Sequence, residues 1–355
     1  MLNCNFVPLT RNSGCKITKK LAVKGSEPFL NWWKLTFFMQ NLKKTPFAQR
    51  LTANFFVILA FEMKKNSLSI VIPVYNGDCR EMVAELRRQA EAIAGLTYEI
   101  LVIDDASPNH EMVGHGWEVG HWPHCRFMAL EQNIGRARIR NLLATRARNE
   151  WLLYLDGDMA VFRPDFLLTY LDCDGDVIYG GYQVGKADDS CLRYIYEKST
   201  EHHHTAEQRQ KRPYQHFHTS NFMVRRQVML AHRFDESFLT YGYEDVLLGK
   251  QFKQAGISIT HIPNPAGFFT FEDNAHFVSK TEEGLRTLYE KRDLLRGYSQ
   301  MITFVEGIHL GLVKWSIRLW HWLFGRLERH NLCGRKPSLR VFKLYKLGYY
   351  LTLSA

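Results

Sequence analysis

Asp156 and Asp158 flank Gly157 at the end of a run of five apolar residues, Trp151-Leu152-Leu153-Tyr154-Leu155. An unpaired carboxylate is costly to bury, so this pair must emerge into water or meet a cation. Two hard oxygen ligands around a bendable glycine suit Mg2+ or Mn2+, above all when a substrate diphosphate completes the shell. A second acidic pair, Asp104/Asp105, ends another apolar run, EILVIDD (99–105), and leads into Ala-Ser-Pro-Asn. Acids there either close an Asx turn or accept hydrogen bonds from the base or ribose of a nucleotide. Glu244-Asp245 follows Tyr241-Gly242-Tyr243 and opens a helix whose Val246, Leu247, Leu248 and Phe252 face inward. Acids at that position complement the helix dipole or take a proton from a hydroxyl. Asn133-x-Gly135-x-Ala137-x-x-Arg140-Asn141 opens another helix. Its N-terminus attracts anions, and Arg136 or Arg140 is within reach of a diphosphate. DCDGD (172–176) is a decoy, because Val177 stands where a calcium loop needs glycine and no glutamate closes it. It reads as a solvated turn.

The elements that must position these residues follow from periodicity. SIVIPVY (69–75), EILVIDD (99–105), CRFMAL (125–130) and WLLYL (151–155) are apolar runs of strand length. Between them, 80–94 carries Met82, Leu86, Ala90 and Ile93 at helical spacing, and 135–147 is a second helix. Strand–helix repetition with continuously apolar strands predicts a parallel sheet covered on both faces. Ligands collect at the carboxyl ends of such strands, where both acidic pairs fall.

Taken in order, LSIVIPVYNGD, EILVIDDASPN, EQNIGRARIRN, LLYLDGDM and YGYEDVLLGKQFKQAG resemble the inverting family-2 glycosyltransferases over about 66–280. The resemblance implies an α/β GT-A fold, with a mostly parallel central sheet and helices on both faces. It implies that Pro73 and Tyr75 line the nucleotide pocket and that Asp105, with Asp104 beside it, contacts the uracil or ribose. Asn133 and Arg140 join that nucleotide-sugar site. Asp156 and Asp158 become the D-x-D that holds the donor through Mn2+ or Mg2+. Asp245 becomes the catalytic base, while Glu244, Tyr243 and Asn221 of TSNFMVRR (219–226) face the acceptor. Family members often place a metal-binding histidine further along the chain. Phe268 stands near that place here, so His276, or less readily His261, is expected to substitute. Residues 201–218 hold five of the fifteen histidines and are expected to form a mobile acceptor loop. An inverting transfer needs one base for the acceptor hydroxyl and charge compensation for the departing nucleoside diphosphate. No covalent nucleophile is required.

Composition bounds the rest. The chain has 355 residues, 46% of them hydrophobic, enough for a packed core. Seven scattered cysteines without a CxxC pair form neither a disulfide framework nor a zinc site, and fit a reducing compartment. The formal charge of +10 divides unevenly. Residues 1–62 and 301–355 each hold nine Lys/Arg against two acids, whereas the middle is net −4. A nucleic-acid partner is therefore not expected, because such proteins carry their basic patch on the folded module.

Residues 1–62 show no sustained period, and their best apolar run, FFVILAF (55–61), is too short to span a bilayer. They are expected to be a poorly structured extension or an over-long start. Residues 63–300 form the expected catalytic domain, and 301–355 a basic amphipathic segment. Within GLVKWSIRLWHWLFGRLER (311–329), Lys314, Arg318, His321 and Arg329 share a helical face. Leu312, Trp315, Leu319, Trp322, Leu323 and Phe324 cover much of the remainder. That pattern fits an anionic membrane surface, with packing onto the core as the alternative. The expected setting is surface-polysaccharide or glycan assembly in the cytoplasm, peripheral on the inner face of the membrane. Two rival readings are a sugar-nucleotide nucleotidyltransferase and an inactive scaffold of a polysaccharide complex. The first is disfavoured because IPVYNGDCRE has one glycine and lacks a glycine-rich cationic loop.

Overall fold

A computed structural model describes residues 65–353; the expectations for 1–62 lie outside the described residues. Among the described residues nine strands form: β1 (Ser67–Val74), β2 (Thr97–Asp104), β3 (Cys125–Ala129), β4 (Trp151–Leu155), β5 (Val177–Tyr179), β6 (Tyr182–Val184), β7 (Asn221–Arg225), β8 (Ile259–His261) and β9 (Ala266–Phe268). Seven make one sheet in the order β3-β2-β1-β4-β7-β5-β8, and β6 pairs with β9 separately.

Strands β1 to β4 run parallel to one another, as their apolar runs predict. Strand β7 departs from that pattern and runs antiparallel to both β4 and β5, with Asn221 opposite Leu155. The chain thus re-enters the sheet from the edge at which β4 ends. This reversal carries residues 218–221 to the edge that holds the acidic pairs.

Alternation along β1 divides the core. Leu68, Ile70 and Ile72 are buried on one face with Met82, Val83 and Leu86 of the helix Arg80–Glu91. Val71 packs on the other with Ala137, Ile139 and Leu143 of the helix Arg136–Arg146. Each of the larger aliphatic side chains contributes about 1.5–3 kcal/mol on leaving water. Every strand end that bears an acid is therefore anchored by a layer of helices.

The C-terminal part is a helical hairpin, Gly311–Cys333 and Leu339–Thr352. Phe342 and Tyr345 pack with Phe277 and Val278 of the helix Asn274–Glu290 and with Leu192. All described residues fall within one unit. The basic helical face expected to suit a membrane surface is partly turned inward, towards the packing given as the alternative. His321 bonds Glu328 through Nδ1 at 3.0 Å and lies against Tyr345, while Arg329 pairs with Glu282 at 3.0 Å. The reason is that the second helix of the hairpin offers an aromatic ledge that covers this side. No helix among the described residues is long and apolar enough to cross a membrane.

Candidate active site

Gly157 owes its place to close approach. A Cβ there would stand 2.9 Å from Val74 Cγ2 and 3.0 Å from the Pro73 carbonyl oxygen. Its amide donates to that Pro73 oxygen at 3.2 Å, and the Asp156 amide donates to Ser220 O at 3.0 Å. The Asp-Gly-Asp turn is thereby pinned between the end of β1 and the segment entering β7. The two carboxylates meet different fates. Asp156 accepts from Arg140 Nη2 at 2.5 Å and lies 3.5 Å from Arg136 Nη2. Asp158 makes no side-chain hydrogen bond or ion pair among the described residues and is exposed to solvent. The surrounding protein mass and the Asp156 charge beside it hold its carboxyl above the usual carboxylate range.

Arg140 is 1% exposed and joins the two halves of the site. Besides Asp156 it lies 3.7 Å from Glu244 Oε1, to which Arg136 Nε donates at 2.8 Å. Glu244 is buried and accepts from arginine. Expected to face an acceptor hydroxyl, its carboxylate here lies against the guanidinium groups of buried Arg140 and partly exposed Arg136. The turn ahead of it is strained: Gly242 has φ 103° and Tyr243 φ 69°, a conformation uncommon for a tyrosine. Two successive left-handed residues reverse the chain so that Asp245 enters the site from the first turn of the helix Glu244–Gln254. The Tyr243 ring packs with Phe238 and Leu247.

Asp245 is engaged at both oxygens. Oδ1 accepts from the Val246 amide at 2.8 Å, and Oδ2 meets His218 Nδ1 at 2.9 Å. Burial works to raise the Asp245 carboxyl, but the His218 bond and charge outweigh it and hold the carboxyl below the usual range. Burial likewise works to lower His218, while Asp245 lifts it above an ordinary histidine. His218 was not singled out in the sequence. Its only signal was membership of the histidine-rich 201–218 segment.

Several expected ligands are otherwise occupied. Asp104 accepts from the amide and hydroxyl of Ser107, the amide bond measuring 2.8 Å. Asp105 accepts from the amides of Ile134 at 2.7 Å and Gly135 at 3.0 Å, which open the helix Arg136–Arg146. Burial raises its carboxyl despite those two bonds. Asn133 is exposed and donates through Nδ2 to the Asp105 carbonyl at 3.0 Å. Tyr75 stands 55% exposed after Pro73, its ring free at the end of β1.

Asn221, expected to face the cleft, is fully buried. Its amide donates to Gly181 O at 2.8 Å and Asn264 O at 3.0 Å, and its Oδ1 accepts from Tyr170 Oη at 2.7 Å. As the first residue of β7 it satisfies backbone groups between strands, so the acceptor assignment is corrected. His276 is not brought to the acidic pair. It is exposed in the first turn of the helix Asn274–Glu290, with its amide bonded to Asp273. His261 is buried, takes a hydrogen bond from Arg209 Nε at 3.1 Å and donates to Pro213 O at 2.9 Å. Burial pushes its pKa down to about 4, which keeps it neutral. Among the described residues, no three His, Cys, Asp or Glu side chains are grouped to hold a metal. The histidine-rich segment includes a 3-10 turn, Glu201–His203, and the helix Ala206–Gln210, where a loop was expected.

Residues 69–232 match the family described as glycosyl transferase family 2. The fold is similar to that of the mannosyltransferase PcManGT from Pyrobaculum calidifontis, solved in complex with GDP-Man and Mn2+. Identity is 13%, coverage is 92% of each chain, and the TM-score is 0.50. TarS 1–349 of S. aureus aligns at 15% identity and TM-score 0.41, over 81% of this chain and 89% of that one. A search of curated proteins finds no match.

Proposed function

We propose that the chain, whose residues 69–232 match the glycosyl transferase family 2 model, moves a sugar from a nucleotide-diphosphate donor to a saccharide or lipid-linked acceptor, with inversion. The donor in this reading is UDP-linked, and the process is surface-polysaccharide or glycan synthesis. The observation that carries the reading is the meeting of Asp156 and Glu244, from two distant segments, on Arg136 and Arg140 at the carboxyl edge of a mostly parallel sheet, with Asp158 and Asp245 next to them in the chain.

A divalent Mn2+ or Mg2+ fits this donor set. Asp158 is an exposed carboxylate whose proton affinity burial and the neighbouring Asp156 both raise, and hard oxygen ligands of this kind suit such an ion. Asp158 would hold the ion, with Asp156 joining it to the extent that Arg140 and Arg136 yield. A bound divalent ion supplies Lewis-acid compensation for the charge of a departing diphosphate. Arg136, 43% exposed in its side chain, would reach the same phosphates by yielding its bonds to Glu244 and Asp156. Tyr75 offers an exposed ring for a base, and Asp245 belongs to the machinery that takes the acceptor proton.

Peripheral contact with the inner face of the cytoplasmic membrane is part of the same proposal. Leu312, Trp315, Trp322 and Leu327 are exposed on the helix Gly311–Cys333, the first and third of them 75% and 77%. Lys314, Arg318 and Arg326 share that helix, whose one acid, Glu328, is buried. An apolar, Trp-bearing surface with basic residues and no exposed acid suits anionic lipid.

The test is a panel of UDP- and GDP-linked sugars with Mn2+, read by thermal shift and by release of the nucleoside diphosphate. GDP-linked sugars are included because PcManGT was solved with one. At least one donor is expected to stabilise the protein and to be turned over. Failure of every nucleotide and nucleotide sugar to bind would sink the reading.

A further inference from the structure

We propose that the atom which takes the acceptor's proton is Nε2 of His218, and that Asp245 acts through it as the orienting carboxylate. This rests on the transferase reading and reassigns the base within it. Both Asp245 oxygens already accept hydrogen bonds, from His218 Nδ1 at 2.9 Å and from the Val246 amide at 2.8 Å. A histidine that donates from Nδ1 to a carboxylate is held in the tautomer whose Nε2 lone pair is free. Nε2 of His218 has no hydrogen-bond or ion-pair partner among the described residues, and the side chain is 36% exposed. His218 reaches the site because β7 runs antiparallel, so that residues just before Asn221 lie beside the end of β4.

The surroundings favour a base that works near neutrality. Asp245 faces the ring from the helix Glu244–Gln254, and Glu197 acts on it from the helix Leu192–Thr200. Tyr179 and Tyr182 lie against it from β5 and β6, at centroid distances of 6.2 and 6.5 Å. His204 stands 6.4 Å away, with Arg209 and His216 beyond it. The balance lifts His218 above an ordinary histidine and lowers Asp245. A base is most effective when its pKa lies near the working pH, which favours the imidazole over the depressed carboxylate. In the step, the acceptor O–H proton passes to Nε2 as its oxygen forms a bond to the anomeric carbon. The bond from that carbon to the phosphate oxygen breaks, its electron pair leaving with the nucleoside diphosphate, and the imidazolium later returns its proton to solvent.

The experiment uses the full chain and nucleotide-sugar hydrolysis, with water as the acceptor and Mn2+ present, over about pH 5 to 9. His218→Asn keeps a donor near the Nδ1 position and loses Nε2, and His218→Gln is made beside it. Both variants are expected to lose about 10²–10⁴-fold in kcat while binding UDP or GDP within about twofold of wild type. The wild-type profile is expected to show an acid limb above about 6.5, absent from any residual activity of the variants. Turnover of His218→Asn within about threefold of wild type, or a wild-type acid limb in the carboxylate range, overturns the inference and leaves the transferase reading standing. Absence of nucleotide binding in wild type removes both.

Discussion

Asp156 and Asp158 are chemically identical and separated by one glycine, yet their environments make them opposites. Asp156 shares its charge with a buried arginine that also faces Glu244, so it belongs to the architecture as much as to any ligand. Removing one member of a buried ion pair leaves its partners uncompensated, at a cost of about 3–5 kcal/mol. Arg140→Ala is therefore expected to lower unfolding free energy by about that amount, measured by urea titration. Asp158→Ala, at an unpaired exposed carboxylate, is expected to change stability by no more than about 0.5 kcal/mol. It should nevertheless weaken Mn2+-dependent donor binding by at least tenfold in calorimetry. Equal effects of the two substitutions on stability would contradict the division of roles drawn above.

Among the elements, the Tyr241–Asp245 turn places two successive residues at positive φ. Its two left-handed residues, Gly242 and Tyr243, aim Glu244 at the arginines and Asp245 at His218 from adjacent positions on one helix. Space is not the constraint at Gly242, since a Cβ there would approach only Gly284 Cα, at 3.6 Å. The constraint is φ, and an alanine held in this region costs about 1–3 kcal/mol. Gly242→Ala is expected to reduce kcat by an order of magnitude or more while donor affinity stays within about twofold. Steady-state kinetics against nucleotide binding separates those outcomes. A loss confined to donor affinity would assign the turn to the nucleotide pocket instead.

For the whole molecule, the C-terminal hairpin is anchored at one end and bare at the other. Leu332, Phe342 and Tyr345 fasten it to the helix Asn274–Glu290, whereas Leu312, Trp315 and Trp322 project into solvent. The anchored part stabilises the domain, which makes truncation at 301 a poor test of membrane contact. Substituting Trp315, Trp322 and Leu323 with serine in the full chain is the cleaner experiment. The triple variant is expected to keep its melting temperature within about 4 °C. It should also cosediment severalfold less with vesicles containing anionic phosphatidylglycerol, an effect that salt accentuates by screening the remaining basic residues. Cosedimentation equal to wild type would leave the apolar surface to another protein.

What could be read along the chain was whatever depends on neighbours in sequence. Apolar runs of strand length, helical spacing between them and acids at the run ends determined the parallel part of the sheet and the positions of Asp104, Asp105, Asp156 and Asp158. Which acid is free and which is neutralised depends on partners far away. Arg140 lies 16 residues before Asp156, Arg136 lies 108 before Glu244, and His218 lies 27 before Asp245. Those pairings exist because β7 enters the sheet in reverse and because a strained turn starts the helix Glu244–Gln254. Both are consequences of long-range packing, which no local period of polar and apolar residues encodes. The same holds for Asn221 and His276, whose residue types suited a site and whose tertiary positions gave them to the interior and to an exposed helix turn, and for His321, read on a basic helical face and packed within a helical hairpin.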